Sequence, residues 1–368
     1  MSHVQKRSGR GWVARYRTPD GKERSKSFRR KIDGDRFLAQ IEVDKSRGDW
    51  VDPRLGRITL GEWTEEYLST ITNLRPSTRV RDESYIRNHV IPKFGTTPLS
   101  SIEHMAIRSW VAELAETKAP STVHKAHQLL SKILRTAMDA GLLARNPAER
   151  VPLPKIERIE MQFLTPSQIW TLADAMDNRY RALVLTAAYT GLRIGELAAL
   201  RNSKLDLNTR QLTVTETLVE VRGQLIFNPP KTSRGVRTVP IPRIVAQELT
   251  HHHKQYGSNE PDSFVFEAPE GGPVRVPNWR HRFWTPATTA AGFNKLRIHD
   301  LRHTAVALWI AVDANPVDIA RRAGHSSVSV VLDRYGHLMP GTQDKVTDAL
   351  DTLANESSHA THHSPTAN

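Results

Sequence analysis

Alternation with a period of two residues opens the chain. In Trp12-Val13-Ala14-Arg15-Tyr16-Arg17 it sets Trp12, Ala14 and Tyr16 on one face of a strand and Val13, Arg15 and Arg17 on the other. Pro19-Asp20-Gly21 is a turn signal, and 22–28 reads as the returning strand, with Lys22, Arg24 and Lys26 sharing a face. A helix is predicted over 35–47, burying Phe37, Leu38 and Ile41 and stopping at Gly48; a linker follows over 52–57. The period then lengthens. Leu60, Trp63, Tyr67 and Leu68 mark a helix, and Pro76-Ser77-Thr78 opens another that should end near His89, ahead of Pro92. The apolar positions Ile102, Met105, Ala106 and Ile107 begin a third, and Pro120-Ser121-Thr122 starts a fourth, closed by Gly141. From Asn146 to Arg158 the chain is polar and proline-bearing, which reads as an interdomain linker.

Beyond the linker, Thr165-Pro166-Ser167-Gln168 has the form of a helix start, with Thr165 as cap, Pro166 in the first position and Gln168 closing a capping box. A strongly apolar helix over 180–188 should end at Gly191. Short strands are predicted at 211–217, 224–227 and 236–241, turning at Gly223 and at Ser233-Arg234-Gly235. Helices resume near Pro242, Asn278, His299, Pro316 and Ser327, and after Asp351 the chain is rich in Ser, His, Thr and Asn and reads as disordered. The predicted architecture is multidomain α+β: a small basic β-sheet and helix module (1–57), an α-helical domain (58–150), a mainly α domain with a short antiparallel sheet (151–350) and a tail (351–368).

Charge narrows the function. A formal net charge of +13 points to a polyanionic partner, nucleic acid first. Residues 1–57 hold 16 Lys and Arg against 8 Asp and Glu, so more than half of the excess sits in the first module. The chain has no Cys, which excludes disulfides, thiolate metal sites and cysteine nucleophiles. With no apolar segment near Met1 and no run long enough to cross a bilayer, the expected location is the cytoplasm, with no membrane partner. No Gly-x-x-x-x-Gly-Lys-Ser/Thr loop occurs, so ATP use is not indicated, and consecutive His251-His252-His253 cannot all face one metal.

The candidate chemistry lies in His299-Asp300-Leu301-Arg302-His303, Ala323-Gly324-His325 and Asp333-Arg334-Tyr335-Gly336-His337. His299 and Arg302 are three apart and project from one helix face. Arg offers a planar fork of donors suited to phosphate oxygens, histidines can move protons near neutral pH, and a tyrosine can supply an oxygen nucleophile. Two upstream pieces sharpen the picture: Thr190-Gly191-Leu192-Arg193-Ile194-Gly195-Glu196-Leu197 and Lys231-Thr232-Ser233-Arg234-Gly235. Together these fragments resemble the tyrosine recombinase family, specifically phage-type integrases.

The resemblance implies a course of reaction. Tyr335 attacks a scissile phosphate to give a 3′-phosphotyrosyl link and a free 5′ hydroxyl, and the partner strand's hydroxyl reverses the attack. Arg193 and Arg302 would clamp the non-bridging oxygens, where charge grows in the transition state. His325 would donate to one of them, although the family often has Leu-Gly-His where this chain has Ala323-Gly324-His325. His299 would sit beside the nucleophile as proton acceptor or orienting group, and Lys231 would protonate the departing 5′ oxygen. Glu196 would orient Arg193. No metal or other cofactor is implied. The N-terminal module would bind accessory arm DNA, and the helical domain would grip the core site. Candidate DNA contacts are Arg15, Arg17, Arg24, Lys26, Lys125, Lys132, Arg234 and Arg237, with Lys93, Arg108, Lys118, His124 and Arg135 as further cations. The implied partners are double-stranded DNA, three further copies of the chain, a host DNA-bending factor and a directionality factor. The other readings are a dimer-resolving or inverting recombinase, a non-catalytic DNA-binding regulator and a metal-dependent nuclease. The last is disfavoured by the absence of a carboxylate cluster in the sequence.

Overall fold

The structure, a computed structural model, describes residues 2–6, 11–18, 21–47, 55–157, 160–230 and 233–339, with 347–348, 350–352 and 354. Lys231, Gly48, Pro19, Asp20, Pro53 and most of the tail from 351 lie outside the described residues. The chain divides into two units, Met1–Arg158 and Ile159–Asn368.

The alternating N-terminal residues form a three-stranded antiparallel sheet, β1 (His3–Lys6), β2 (Trp12–Arg17) and β3 (Glu23–Phe28), in that order. Ala14 and Tyr16 point inward as their spacing requires, and Arg15 and Arg17 stay exposed on the other face. The inward face is covered by α1 (Lys31–Arg47) through Leu38 and Ile41. This helix begins four residues before the predicted start, and Gly34 in its first turn lies close against the sheet. A Cβ at Gly34 would lie 3.1 Å from Val4 Cγ1. Strand β1 is not foreseen by pattern; its four residues carry no clear alternation.

The helical part of the first unit contains α2 (Leu60–Thr70), α3 (Pro76–Tyr85), α4 (Ile91–Phe94), α5 (His104–Thr117) and α6 (Pro120–Asp139). Helix α6 is the centre, burying Val123, Ala126, Leu129, Leu130, Ile133, Leu134 and Ala137 at helical spacing. The Nε1–H of Trp63 donates to the Ile133 carbonyl at 3.1 Å, which ties α2 to it. The predicted stop ahead of Pro92 does not occur. A wide π turn over Ile86–Val90 joins α3 to α4, with the Ile91 N–H donating to the carbonyl of Ile86, five residues back. The extra residue in the turn accommodates Pro92, which lacks an N–H and would clash in a regular helix. The same device, Arg280–Trp284, precedes Pro286 in the second unit. The segment read as a polar linker is partly folded. Ala148 and Val151 belong to the core, and the rings of His104, His127 and His124 donate to the carbonyls of Pro147, Ala148 and Pro154 at 3.0, 2.9 and 2.8 Å.

In the second unit α7 (Pro166–Ala175) starts with the predicted Thr165/Gln168 capping box. The apolar α8 (Asn178–Thr190) is buried on nearly every side and ends at Gly191 in the left-handed conformation (φ 64°). Next come α9 (Ile194–Ala198), β4 (Leu205–Asp206), β5 (Gln211–Val214), β6 (Thr217–Val221), β7 (Gln224–Asn228) and β8 (Arg237–Pro240). The single strand predicted at 211–217 divides between a β4-β5-β8 sheet and a β6-β7 hairpin. Arg222 and Gly223, both at positive φ, turn that hairpin. Helices α10 (Arg243–Tyr256), α11 (Val276–Trp279), α12 (Thr285–Ala290), α13 (Ile298–Ala311), α14 (Pro316–Ala323) and α15 (Ser329–Tyr335) complete the unit. No helix among the described residues is long and apolar enough to cross a membrane.

Met105, one of the apolar positions that placed α5, is 59% exposed, whereas Leu130 is fully buried. Leu130→Ala should cost about 2–5 kcal/mol in denaturant unfolding, and Met105→Ala within about 0.5 kcal/mol of nothing. Equal costs would contradict the packing of α5 and α6.

Candidate active site

Two glycines let the elements of the site approach each other. A Cβ on Gly195 would lie 2.7 Å from both the Leu218 carbonyl oxygen and Thr217 Oγ1, so only glycine lets α9 press against the β6-β7 hairpin. Gly324, at φ 63°, ends α14, and a Cβ there would meet Arg237 Nη1 at 2.9 Å.

Between these contacts lies Glu196, 4% exposed. Its Oε1 accepts from Arg193 Nη1 at 2.8 Å and from Arg237 Nη1 at 3.2 Å. Its Oε2 accepts from the Arg193 backbone N–H at 2.9 Å and from Arg237 Nη2 at 2.9 Å. Burial pushes the carboxyl's pKa up, but the hydrogen bond and charge of Arg237, joined by Arg193, outweigh it and hold the group below its ordinary value. Arg237 also donates from Nε to the Arg322 carbonyl at 2.8 Å and from Nη1 to the Gly235 carbonyl at 3.0 Å. The expectation that Arg237 touches DNA phosphate is therefore corrected: it is 7% exposed and engaged inside the protein.

Arg302, in the first turns of α13, is 2% exposed. It donates from Nη1 to the Gly191 carbonyl at 2.6 Å and from Nη2 to the Ala323 carbonyl, leaving its other N–H groups uncommitted to these two bonds. Burial, then the neighbouring Arg193 cation, pushes its pKa down to about 9, so it stays charged at neutral pH. Arg193 is more open, its side chain 43% exposed, and its Nη2 reaches the Gly324 carbonyl at 3.5 Å. Both guanidiniums thus converge on the end of α14, where His325 follows. The Nδ1 of His325 is buried with no hydrogen-bond partner among the described residues. Burial, Arg302 and Arg193 push this imidazole down to about 3, which keeps it neutral.

Tyr335 ends α15 and is 1% exposed. Burial raises its pKa, against the pull of Arg302 and Arg334. Its hydroxyl meets Nδ1 of His303 at 2.5 Å. His299, expected beside the nucleophile, instead sets its ring edge-on to His303, with centroids 4.8 Å apart and planes at 87°. The two histidines are four apart and share a face of α13, and the buried one reaches the tyrosine. The His-x-x-Arg-His spacing shows the shared face, since the fifth residue of such a motif lies one turn beyond the first, but not which of the two histidines is buried. Asp300, 1% exposed, fixes the start of α13 by accepting from the Arg297 backbone at 2.7 Å and from its guanidinium.

The other proposed cations are mixed. Arg234 is exposed next to this site, its guanidinium donating to the Ser326 carbonyl. Lys125 pairs with the buried Asp82 at 3.2 Å, and Lys132 is exposed with its ammonium 5.9 Å from the Tyr67 ring centre. On the N-terminal sheet Arg15 pairs with Glu23 at 3.0 Å, Arg17 is exposed, Arg24 is half-buried, and Lys26 lies over Phe37 at 4.6 Å. Lys93 and Arg135 pair with Glu113 and Glu149, His124 is bound to the Pro154 carbonyl, and Arg108 and Lys118 are exposed. Lys231 lies outside the described residues.

Removing one partner of a buried ion pair strands the other charge, so Glu196→Ala should cost about 3–5 kcal/mol of unfolding free energy. Adding Arg237→Met should restore a large part of that loss, measured as a double-mutant cycle. Simple additivity would show that the bridge does not exist in solution.

Comparison with known proteins agrees with this arrangement. The description "Phage integrase family" matches residues 162–341, and "Phage integrase, N-terminal SAM-like domain" matches 59–115. The phiRv2 prophage integrase of Mycobacterium tuberculosis is 30% identical over 357 residues, 94% of each chain. The ICEBs1 integrase of Bacillus subtilis is 28% identical over 294 residues, 74% of this chain and 77% of its own. Among solved structures, the Tn1549 transposon integrase in complex with transposon right end DNA superposes with a TM-score of 0.68 at 20% identity, covering 81% of this chain and all of that one. A lambda integrase tetramer bound to a Holliday junction gives a TM-score of 0.56 at 17% identity, over 89% and 93% of the two chains. At those identities the structures speak for a shared fold. The sequence relatives carry the assignment: the chain belongs to the phage integrase family and is a site-specific tyrosine recombinase.

Proposed function

We propose that this recombinase integrates and excises the DNA of a phage or related mobile element, with Tyr335 as the nucleophile. The observation that supports the reading most is the convergence of two arginines, Arg193 and Arg302, on the Ala323-Gly324 carbonyls beside a neutral His325, with Arg302 within electrostatic reach of Tyr335. Two fixed cations and an imidazole N–H suit a pentavalent phosphorane, whose non-bridging oxygens carry more charge than those of the ground state. In the attack the Tyr335 oxygen bonds to phosphorus, the bond to the 5′ oxygen breaks, and Lys231 supplies the proton that oxygen needs. The ester energy is kept in the phosphotyrosyl link, so rejoining is the reverse step.

Three stretches of the chain divide the work on DNA. Residues 1–57 bind arm sites through the basic sheet, 58–150 grip the core site, and 151–350 carry the chemistry. The basic sheet favours this reading over a dimer-resolving enzyme. Four protomers act together on two duplexes, a reading supported by the lambda integrase tetramer bound to a Holliday junction. A host bending protein and a directionality factor assist, in the cytoplasm where the nucleoid lies.

Tyr335→Phe keeps the ring and removes only the attacking oxygen. Incubated with the duplex that flanks the coding gene, it should bind as wild type does and form no covalent protein–DNA complex. Continued adduct formation would end the assignment of Tyr335.

Lys231→Ala should cleave ordinary DNA slower by about a hundredfold or more, the usual contribution of a positioned acid. It should regain most of the rate when sulfur replaces the bridging 5′ oxygen, because a thiolate leaves without protonation. An enzyme equally slow on both would show that the proton has another source.

A further inference from the structure

We propose that His303 is a catalytic residue of this recombinase, the group that orients the Tyr335 hydroxyl and takes its proton during the attack. The inference rests on Tyr335 being the nucleophile, and it adds a residue that the arginines, Lys231, His299 and His325 leave without a role.

The geometry is restrictive. Tyr335 is 1% exposed and its burial disfavours the phenolate, so the oxygen carries a hydrogen that must be donated somewhere. Among the described residues its hydrogen-bond partner is His303 Nδ1, at 2.5 Å. A neutral phenol has one proton to give, and Nδ1 accepts it only when the imidazole is neutral with its own hydrogen on Nε2. The surroundings favour that form. His303 is 4% exposed, and burial followed by the neighbouring His299 holds its pKa down to about 4. The charged and titratable groups around it are His299 and Asp300 on its own helix, Arg297 before that helix, and Arg334 and Tyr335 on α15; of these only Asp300 favours the imidazolium. The ring is also fixed in direction, by the edge-on contact with His299 and by the Arg297–Asp300 pair that anchors the first turn of α13.

Protons balance across the step. As the Tyr335 oxygen bonds to phosphorus, its O–H bond breaks and the proton passes to His303 Nδ1, while the departing 5′ oxygen takes a proton from Lys231. Arrival of the anionic phosphodiester favours the imidazolium, which strengthens the base when it is needed. Rejoining returns the proton from Nδ1 to the tyrosine. A base within hydrogen-bond reach of the proton it removes is the first geometric requirement of such catalysis, and His299, edge-on behind His303, does not meet it in this structure.

The test uses the full-length protein and the duplex that flanks its coding gene, with covalent protein–DNA complex as the readout and gel-shift binding as the control. His303→Leu should bind DNA as wild type does and form the complex about a hundredfold more slowly. His303→Asn keeps an acceptor oxygen near the Nδ1 position but cannot titrate. It should recover part of the rate, and its rate should fall less than that of wild type as the pH is lowered from 6 toward 4, where protonation of His303 blocks the wild-type acceptor. Should His303→Leu not fold, the pH profile of His303→Asn decides alone. His303→Leu acting at the wild-type rate or faster would mean the histidine merely stores the tyrosine, and an Asn variant with the wild-type acid limb would mean it takes no proton; either overturns the proposal. If Tyr335→Phe still forms the complex, the underlying assignment of the nucleophile has failed instead.

Discussion

The buried carboxylate of Glu196 is the constraint on which the catalytic unit depends. It binds Arg193 and Arg237 at once, and each arginine carries the constraint onward. Arg237 ties strand β8 to the end of α14 through the Arg322 carbonyl, and Arg193 reaches the Gly324 carbonyl two residues on. Arg302 meets the same end of α14 from the opposite helix, through Ala323. Three cations are thus gathered around one anion. Such a cluster is costly to desolvate, and it is stable because each guanidinium also donates to backbone carbonyls. The excess positive charge that remains is what a phosphodiester needs. The site is therefore held together without its substrate and keeps an excess of positive charge.

That arrangement gives the two glycines of the motifs a physical meaning. Gly195 is required where α9 meets the Leu218 carbonyl, and Gly324 where the Arg237 guanidinium lies against the backbone. Neither glycine touches the reacting atoms. Each sets how closely two parts of the site approach, α9 and the β6-β7 hairpin at Gly195 and α14 and Arg237 at Gly324, so a side chain at either place would shift the site without removing a charge.

Much of this is legible in the sequence because it is local or rests on motif. The capping box at Thr165 and Gln168, the left-handed stop at Gly191 and the inward face of Ala14 and Tyr16 need only a few neighbouring residues. The set Arg193, Arg302, His325 and Tyr335 comes from motif order, and the structure gathers those four residues in one unit. What stays hidden depends on distant partners. Arg237 resembles a surface cation because its carboxylate lies 41 residues away. His299 stands out ahead of His303 because sequence does not show which of two histidines on one face is the buried one. The helix through Pro92 needs a π turn, and the linker's attachment needs three histidines from α5 and α6 to find its carbonyls.

The proposed route of phosphoryl transfer runs through Tyr335, at the end of α15. It is tested most directly by trapping the protein on DNA that flanks its gene, digesting the adduct with protease and nuclease, and sequencing the modified peptide by mass spectrometry. A nucleotide joined through its 3′ phosphate to Tyr335 is expected, with a 5′ hydroxyl on the other side of the break. A nucleotide on any other residue, or one joined through a 5′ phosphate, would contradict it.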